Sequence, residues 1–491
     1  GVVWPCKKAA YGFKEMDFMR RKGFAIAAAA AVLTFGMMIN AYAAEGWARS
    51  ESNTWIYLDR NGNRVRNEWK RGDDNLWRWL DSNGEMAVSS WVDGDDYYVD
   101  SNGIMLSEQW LQTEDPYGRD GELYWYYFKS SGKKAVDEWE TVKGYQYLFD
   151  TEGRMQTEWS EDGMYWLGTA GARRSGWKYL APPDEDGYDF YGEESMDGMY
   201  WYYFGSNGKK YTPENTNEGG DYRIARINGE YFCFGPDGRM MTGWVYLQGD
   251  PDSAPSDSIE DWAYYAEEGI RNVTFGAAVQ GWLSLEPPEI LQNNIDEPVI
   301  WYYFNKDGTP KTGPGYEDAS TSDFTRIDGK NYLFDHRGNP VDGLIQVEIG
   351  STGEYTAYYF DEDSKTVVKG RKTIEEGDGT KSTFYFNEGT NSGRGVTGVK
   401  DNYLYYMGKR QEADSDSRYT LYSIPNNDGT YDTYVVNTSG RISKNRTVKD
   451  RDDNEYEVNS SGMVTSINGE TVNKNESYGE PIAPVFYDWD Y

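Results

Sequence analysis

The sequence contains very little cysteine and histidine, and this scarcity excludes several kinds of site. The 491 residues include two cysteines, Cys6 and Cys233, and a single histidine, His336. Cys6 lies in a segment that we expect to be removed, so an intramolecular disulfide framework is excluded. Zinc sites of hydrolytic enzymes usually need three protein ligands, most often histidines, and one histidine cannot supply them. We therefore expect no metal site and no bound cofactor, a buried Cys233 and an exposed His336.

Net positive charge is also missing, and so are long amphipathic helical patterns. The sequence has 49 Lys and Arg residues against 82 Asp and Glu residues, which gives a formal net charge of -33. Nucleic-acid binding needs clustered basic side chains, so nucleic acid is excluded as a partner. A mean hydropathy of -0.83 argues against a large aliphatic core.

The first 43 residues have the pattern of an export signal. Basic residues 20–22 precede an apolar run from Phe24 to Ile39, and residues 41–43 read Ala-Tyr-Ala, a small-x-small cleavage pattern. The apolar run is shorter than the roughly 20 residues that a membrane-spanning helix needs. We expect residues 1–43 to be removed, and the mature chain to begin near Ala44 and not to span a membrane. N-terminal sequencing of the exported protein tests this, and a retained apolar run would contradict it.

Aromatic residues and glycine are abundant, with 43 Tyr, 19 Trp, 18 Phe and 55 Gly. They form a repeated unit of an aromatic strand, a turn that contains glycine, and a second strand that ends in tryptophan. One copy begins at Trp55 and continues through Gly62 to Trp69. The same seven-residue step from glycine to tryptophan recurs from Gly84 to Trp91.

This repeat predicts an all-β fold, a solenoid of tandem β-hairpin repeats in which each hairpin forms around the glycine turn. Aromatic residues favour strands, and glycine supplies the positive φ that a tight turn needs. A single hairpin is only marginally stable in water, so neighbours must stack to bury their aromatic faces. We divide the mature chain into Trp-rich repeats at 44–310 and Trp-poor divergent repeats with a C-terminal tail at 311–491. The acidic, proline-bearing insertions are interpreted as solvated loops, with a second surface on one face of the solenoid as the alternative.

The repeated pattern resembles a known family over about residues 45–465. Tyr200–Phe204 reads Y-W-Y-Y-F, and Pro236–Trp244 reads P-D-G-R-M-M-T-G-W. These segments resemble the cell-wall-binding repeats of choline-binding proteins and the related YG glucan-binding repeats. The resemblance implies a superhelical stack of hairpins, with a cage of about three aromatic side chains shared by adjacent hairpins. It also implies a place on the bacterial cell surface and a polymer partner: choline-bearing teichoic acid, glucan or peptidoglycan.

The resemblance assigns two rows of tryptophans to ligand cages. The turn-following tryptophans are Trp69, Trp91, Trp110, Trp139, Trp159, Trp177, Trp244 and Trp282. The strand tryptophans are Trp77, Trp125, Trp166, Trp201, Trp262 and Trp301. A quaternary ammonium over a ring face gains about 0.5 to 2 kcal/mol, and a flat ring also stacks on a sugar. Each ring has the alternative role of packing between hairpins. Beyond Pro340 the corresponding positions are aliphatic, at Leu344 and Val399, so Trp cages are not expected there.

The sequence therefore predicts a secreted, non-catalytic protein that binds a surface polymer. Its many carboxylates fall mostly at repeated turns and in insertions, which argues against a glycosidase pair. Asp450–Glu455 lacks the glycine and the final glutamate of a calcium loop and is interpreted as a solvated turn. Three alternatives remain: an adhesin that binds host glycans, the binding part of a wall hydrolase or glucosyltransferase whose catalytic domain is missing, and a structural spacer.

Overall fold

The computed structural model describes residues 45–116, 118, 121–183, 197–213, 222–248, 259–294, 299–316, 318–390 and 392–486. The predicted export segment 1–43, most of the acidic insertions and residues 487–491 lie outside these ranges. The described chain is almost entirely antiparallel β-structure, as predicted. It contains no α-helix, and its two short 3-10 helices are Glu289–Asn294 and Thr321–Asp323. None of its described helices has the length and apolar character needed to cross a membrane.

The chain divides into two compact units. The first has described residues 45–213 and 234–240, and its strands pair in chain order as two-stranded hairpins. These strands are β1 (Gly46–Arg49), β2 (Trp55–Leu58), β3 (Glu68–Arg71), β4 (Trp77–Leu80), β5 (Ser90–Val92), β6 (Tyr97–Val99), β7 (Gln109–Glu114), β8 (Leu123–Phe128), β9 (Trp139–Val142), β10 (Tyr145–Leu148), β11 (Glu158–Trp159), β12 (Trp166–Gly168), β13 (Gly176–Leu180) and β14 (Tyr200–Phe204).

The second unit has described residues 222–233 and 241–486. It begins with five hairpins, β15 (Arg223–Ile227) with β16 (Glu230–Phe234), β17 (Gly243–Tyr246) with β18 (Trp262–Tyr265), β19 (Gly281–Leu285) with β20 (Ile300–Phe304), β21 (Thr325–Ile327) with β22 (Lys330–Tyr332), and β23 (Gly343–Glu348) with β24 (Tyr355–Phe360). A five-stranded sheet follows, in the order β25-β26-β29-β28-β27, from β25 (Gly370–Glu375), β26 (Lys381–Phe386), β27 (Gly398–Lys400), β28 (Tyr403–Tyr406) and β29 (Lys409–Arg410). The last strands are the hairpin β30 (Tyr419–Pro425) with β31 (Tyr431–Asn437) and the four-stranded β32 (Arg446–Lys449), β33 (Glu455–Val458), β34 (Val464–Ile467) and β35 (Glu470–Thr471).

The hairpins pair differently from the sequence-based expectation. In β3 and β4, Trp69 lies opposite Trp79, so the tryptophan strand pairs with the aromatic strand that follows it. The glycine turn after β4 contributes only one bridge, between Leu80 and Met86. There the Asp81 carboxylate accepts the backbone N–H groups of Asn83 and Glu85, each at 2.8 Å. The aspartate thus closes a tight turn, and the long ladder forms on the other side of the aromatic strand.

The turn glycines also provide the contact between successive repeats of the first unit. Gly153 has φ of 86°, which strains any other residue. A Cβ there would lie 2.9 Å from the carbonyl oxygen of Ala135 and 3.1 Å from Cδ of Lys134. Gly238 has the same environment, because a Cβ would lie 2.9 Å from Cδ of Lys210. The side chain two residues after one turn glycine therefore lies directly over the next.

The core is a series of aromatic layers instead of one deep interior. Fully buried rings include Tyr126, Phe128, Tyr202 and Phe204 in the first unit. Cys233 is buried, as predicted, and burial raises the pKa of its thiol to about 12. His336 lies in an exposed turn, as predicted, and Asp450–Glu455 lies at the turn between β32 and β33.

The C-terminal segment 473–486 is not a strand but runs back along earlier repeats of the second unit. The backbone N–H of Ser423 donates to the carbonyl of Gly479. The N–H of Ile482 donates to the Gln411 side chain at 2.6 Å, and that of Val485 donates to the Glu376 carboxylate at 2.7 Å. The segment therefore ties together hairpins that are distant in sequence.

Candidate functional site

The turn-following tryptophans all lie half-buried, between their own hairpin and the next one. Most project from the first strand of a hairpin toward an aromatic residue on the second strand, whereas Trp139 lies opposite Leu148 and contacts Tyr165 of the next hairpin at 5.0 Å. Trp69, for example, lies 5.3 Å from Trp79 of its own hairpin and 5.3 Å from Tyr97 of the next. The aromatic sets shared by adjacent hairpins are thus present, whereas their ligand-binding role remains a prediction.

Three of these sets have nearly the same geometry, and we call them the edge-on clusters. They are built on Trp91, Trp159 and Trp244. In each, the indole meets a tyrosine of the next hairpin nearly at right angles. The partners, centroid distances and interplanar angles are Tyr126 at 4.8 Å and 76°, Tyr202 at 5.1 Å and 80°, and Tyr302 at 5.2 Å and 77°. Burial raises the pKa of all three tyrosines.

Backbone carbonyls hold the edge-on indoles in place. Trp159 Nε1 donates to the carbonyl of Ala181 at 2.9 Å, and Trp244 Nε1 donates to that of Glu286 at 2.9 Å. Trp91 Nε1 makes the corresponding bond to Glu114, at 3.3 Å. Because each acceptor lies at or just beyond the end of the next hairpin's first strand, the bond fixes the ring against that hairpin.

Three further sets, which we call the stacked clusters, contain a ring pair with an interplanar angle of only 26° to 33°. They are built on Trp110, Trp177 and Trp282. The parallel partners are Phe149 at 5.8 Å and 26°, Phe234 at 5.7 Å and 27°, and Phe334 at 6.0 Å and 33°. Trp110 also contacts Tyr127 at 5.1 Å and Tyr147 at 4.8 Å.

The clusters follow a three-hairpin period along the sequence. An edge-on cluster is followed by a stacked cluster and then by a hairpin with a two-residue loop. The loops are Lys143-Gly144, Asn228-Gly229 and Asp328-Gly329, in which both residues have positive φ. Because the period is fixed by turn chemistry as well as by ring geometry, equivalent clusters can be compared directly.

The strand tryptophans do not form one uniform row. Trp125, Trp166 and Trp201 lie 6.4, 5.5 and 6.4 Å from a turn-following tryptophan of their own hairpin. Trp262 is instead buried against Tyr246, at 5.3 Å. Trp301 is 58% exposed.

Trp77 is also exposed, and the Arg71 guanidinium covers its ring at 4.7 Å. The strand row therefore contains cluster members, a core residue and surface rings. Which of these places a strand tryptophan takes depends on strand pairing and register, which the sequence alone does not give.

Sequence reasoning missed several members of the clusters. Trp47 takes the equivalent place in the first hairpin, 5.5 Å from Tyr57, and its indole donates to the carbonyl of Arg71 at 2.9 Å. The signal was available, because Gly46-Trp47 repeats the Gly-Trp pair of Gly243-Trp244. The buried tyrosines of the edge-on clusters were also missed, because strand register decides which aromatic residue faces the preceding hairpin.

The Trp-poor repeats pack differently. Leu344 is buried in an aliphatic and aromatic core, and Val399 is partly exposed. Ring pairs persist there, such as Tyr359 with Phe386 at 6.5 Å and Tyr385 with Tyr405 at 5.9 Å. Within the described ranges, no group of carboxylates, cysteines or histidines is arranged to hold a metal ion.

Comparison with known proteins gives a remote sequence relative and several solved structures. No family model matches the sequence. Glucosyltransferase-S of Streptococcus mutans serotype c is 24% identical over 286 residues, which are 51% of this chain and 17% of that protein. The chain therefore matches only a minor part of the length of this curated relative.

Several similar solved structures come from Streptococcus pneumoniae. The modular autolysin LytC, in complex with a synthetic peptidoglycan ligand, is 19% identical, with 60% of this chain and 52% of that chain covered and a TM-score of 0.34. CbpJ is 19% identical, with 72% and 100% covered and a TM-score of 0.30. The choline-binding domain of CbpL is 24% identical, with 42% and 90% covered and a TM-score of 0.28. The similar proteins thus include a choline-binding domain and a glucosyltransferase.

Proposed function

We propose that this chain is a secreted, non-catalytic repeat protein that attaches to a cell-surface polymer through the aromatic clusters between its hairpins. The observation that carries the proposal is the recurrence of half-buried tryptophans in clusters of matched geometry. A repetitive polymer presents identical groups at intervals, so repeated weak sites gain avidity without any single strong contact.

The chemistry of the clusters suits two kinds of ligand. Ring faces attract a quaternary ammonium and stack on the flat faces of sugars, so choline-bearing teichoic acid, glucan and peptidoglycan are all candidates. The net charge of -33 favours cationic groups over phosphate-rich nucleic acid.

Retention on purified cell walls tests the proposal. We expect the exported protein to sediment with walls and to be released by a competitor that fills the clusters. Release by choline indicates teichoic acid, release by dextran indicates glucan, and retention against both indicates peptidoglycan. A protein that stays in the supernatant with every wall preparation would contradict the proposal.

A second candidate is the binding part of a larger enzyme, because the curated relative is a glucosyltransferase of which the match covers 17%. Zymography of the complete secreted gene product separates the two, since a glucan-forming or wall-clearing band would identify a catalytic domain. Binding on a glycan array without retention on walls would favour the host-glycan adhesin instead.

A further inference from the structure

Two of the three edge-on clusters already contain an ammonium group of the chain. Lys134 Nζ lies 5.1 Å from the ring centroid of Trp91 and 5.9 Å from that of Tyr126. Lys210 Nζ lies 5.3 Å from Trp159 and 5.7 Å from Tyr202. All four distances fall within the range at which a cation is attracted by a ring face.

Both lysines are buried to a degree that is rare for this residue. Each is only 6% exposed, and an uncompensated ammonium in such a place is strongly unfavourable. Burial lowers the pKa of Lys134, and the carboxylates of Asp96 and Asp115 act in the opposite direction. Burial also lowers the pKa of Lys210, and the carboxylate of Asp237 acts in the opposite direction. The ring faces therefore provide part of the compensation that keeps each ammonium in place.

The route of the side chain is built into the repeat. Each lysine lies two residues after a turn glycine, and its stem passes over the next turn glycine, Gly153 for Lys134 and Gly238 for Lys210. Any side chain on those glycines would obstruct the stem.

The third edge-on cluster provides a natural comparison. Trp244 and Tyr302 have the same geometry as the other two pairs, but Pro310 stands at the position of the lysine. Tyr302 is fully buried, and Trp244 packs against the same hydrophobic cluster, which includes Ile259 and Trp262.

We infer that Lys134 and Lys210 are built-in occupants that close the Trp91 and Trp159 clusters to cationic ligands, whereas the equivalent position of the Trp244 cluster, Pro310, brings no ammonium. The residue two positions after the turn glycine then determines whether an edge-on cluster carries an ammonium of its own, and this closure rests on the proposed function. Lysine closes a cluster by placing its own ammonium where a ligand's ammonium would otherwise contact the rings.

Lysine NMR tests the occupancy without any ligand. In the full chain labelled with ¹³C at the lysine ε-carbon, we expect the ε-methylene resonances of Lys134 and Lys210 to be among those shifted upfield by ring currents, beside those of Lys70, Lys372 and Lys400, which also lie over rings. Lys134→Met and Lys210→Met should each remove one of them, whereas Lys209→Met, at the exposed neighbouring position, should remove neither. A set of upfield resonances that neither Lys134→Met nor Lys210→Met reduces, or a wild type without upfield resonances, would overturn the inference.

Choline titration tests the closure, with binding stoichiometry measured by equilibrium dialysis. Lys210→Met should bind one choline more per chain than the wild type and Lys209→Met. If the wild type binds choline and Lys210→Met binds the same number of choline molecules per chain, the closure is overturned. Attachment to the polymer is not affected by that result. If no variant binds choline, closure to cations is refuted, while glucan or peptidoglycan attachment is decided separately by the wall assay.

Discussion

Replacing Glu376 with alanine is expected to lower the free energy of unfolding of the C-terminal repeats by about 3–5 kcal/mol. The Glu376 side chain is fully buried, and Oε1 lies 2.9 Å from Nζ of Lys409. Its other oxygen accepts the backbone N–H of Val485 at 2.7 Å. The substitution would therefore leave a nearly buried ammonium without its counter-charge and a backbone donor without an acceptor.

Glu375→Ala is the matched control. The Glu375 side chain is 55% exposed, and its carboxylate lies 3.5 Å from Lys381 Nζ. An exposed pair of this kind contributes about 0–1 kcal/mol, so little change is expected. Because two compact units need not unfold together, hydrogen exchange of the amides at Gly377 and Val485 is the appropriate measurement. Equal protection of these amides in the two variants would contradict a special role for Glu376.

The role of segment 473–486 shows what the sequence could not reveal. Its residues carry no repeat motif, and their contacts are with Glu376, Gln411 and Ser423, far away in sequence. Such pairings depend on how the hairpins stack, which no local pattern encodes. The all-β repeat fold, in contrast, was predictable because every aromatic strand and turn glycine recurs at short range.

The prediction of which two strands form each hairpin was wrong for a specific reason. A tandem array of strands and turns reads the same whether an aromatic strand is joined to the strand before it or after it. The Asp-x-x-Gly turn attracted the prediction because it has hairpin chemistry, yet the Asp81 carboxylate binds its own turn and leaves a single bridge beyond it. The loops that actually connect the paired strands range from Lys143-Gly144 to long insertions, so they carry no common signature.

The tryptophans of the candidate site could be predicted from the sequence, but the lysines could not. Turn-following tryptophans could be found from the glycine spacing, and each proved to lie between hairpins. The lysines could not be singled out, since the same position also holds Met155 and Pro310. Only the structure shows that a side chain leaving one turn reaches a cluster formed by two earlier strands.

Simultaneous replacement of Trp110, Trp177 and Trp282 by leucine in the full chain is expected to weaken wall retention by about 10²-fold. Each stacked cluster would lose a ring contact of about 1 kcal/mol, so three losses give about 3 kcal/mol, and 1.4 kcal/mol corresponds to tenfold. Single substitutions should cost only about fivefold each. The compounding arises because a repetitive polymer engages the clusters together, so loss of several sites removes the avidity.

The control must also remove three packed rings, because half-buried tryptophans contribute to stability. Tyr359, Tyr385 and Tyr405 form ring pairs in the Trp-poor repeats, and their triple leucine variant should keep most of its wall retention. Circular dichroism must first show that both variants retain β-structure, and retention is then measured as the protein concentration that half-saturates a fixed amount of wall. Equal loss in the two variants would mean that the polymer is bound by tyrosine-rich strands as well, whereas full retention in the tryptophan variant would remove the stacked clusters from the binding surface.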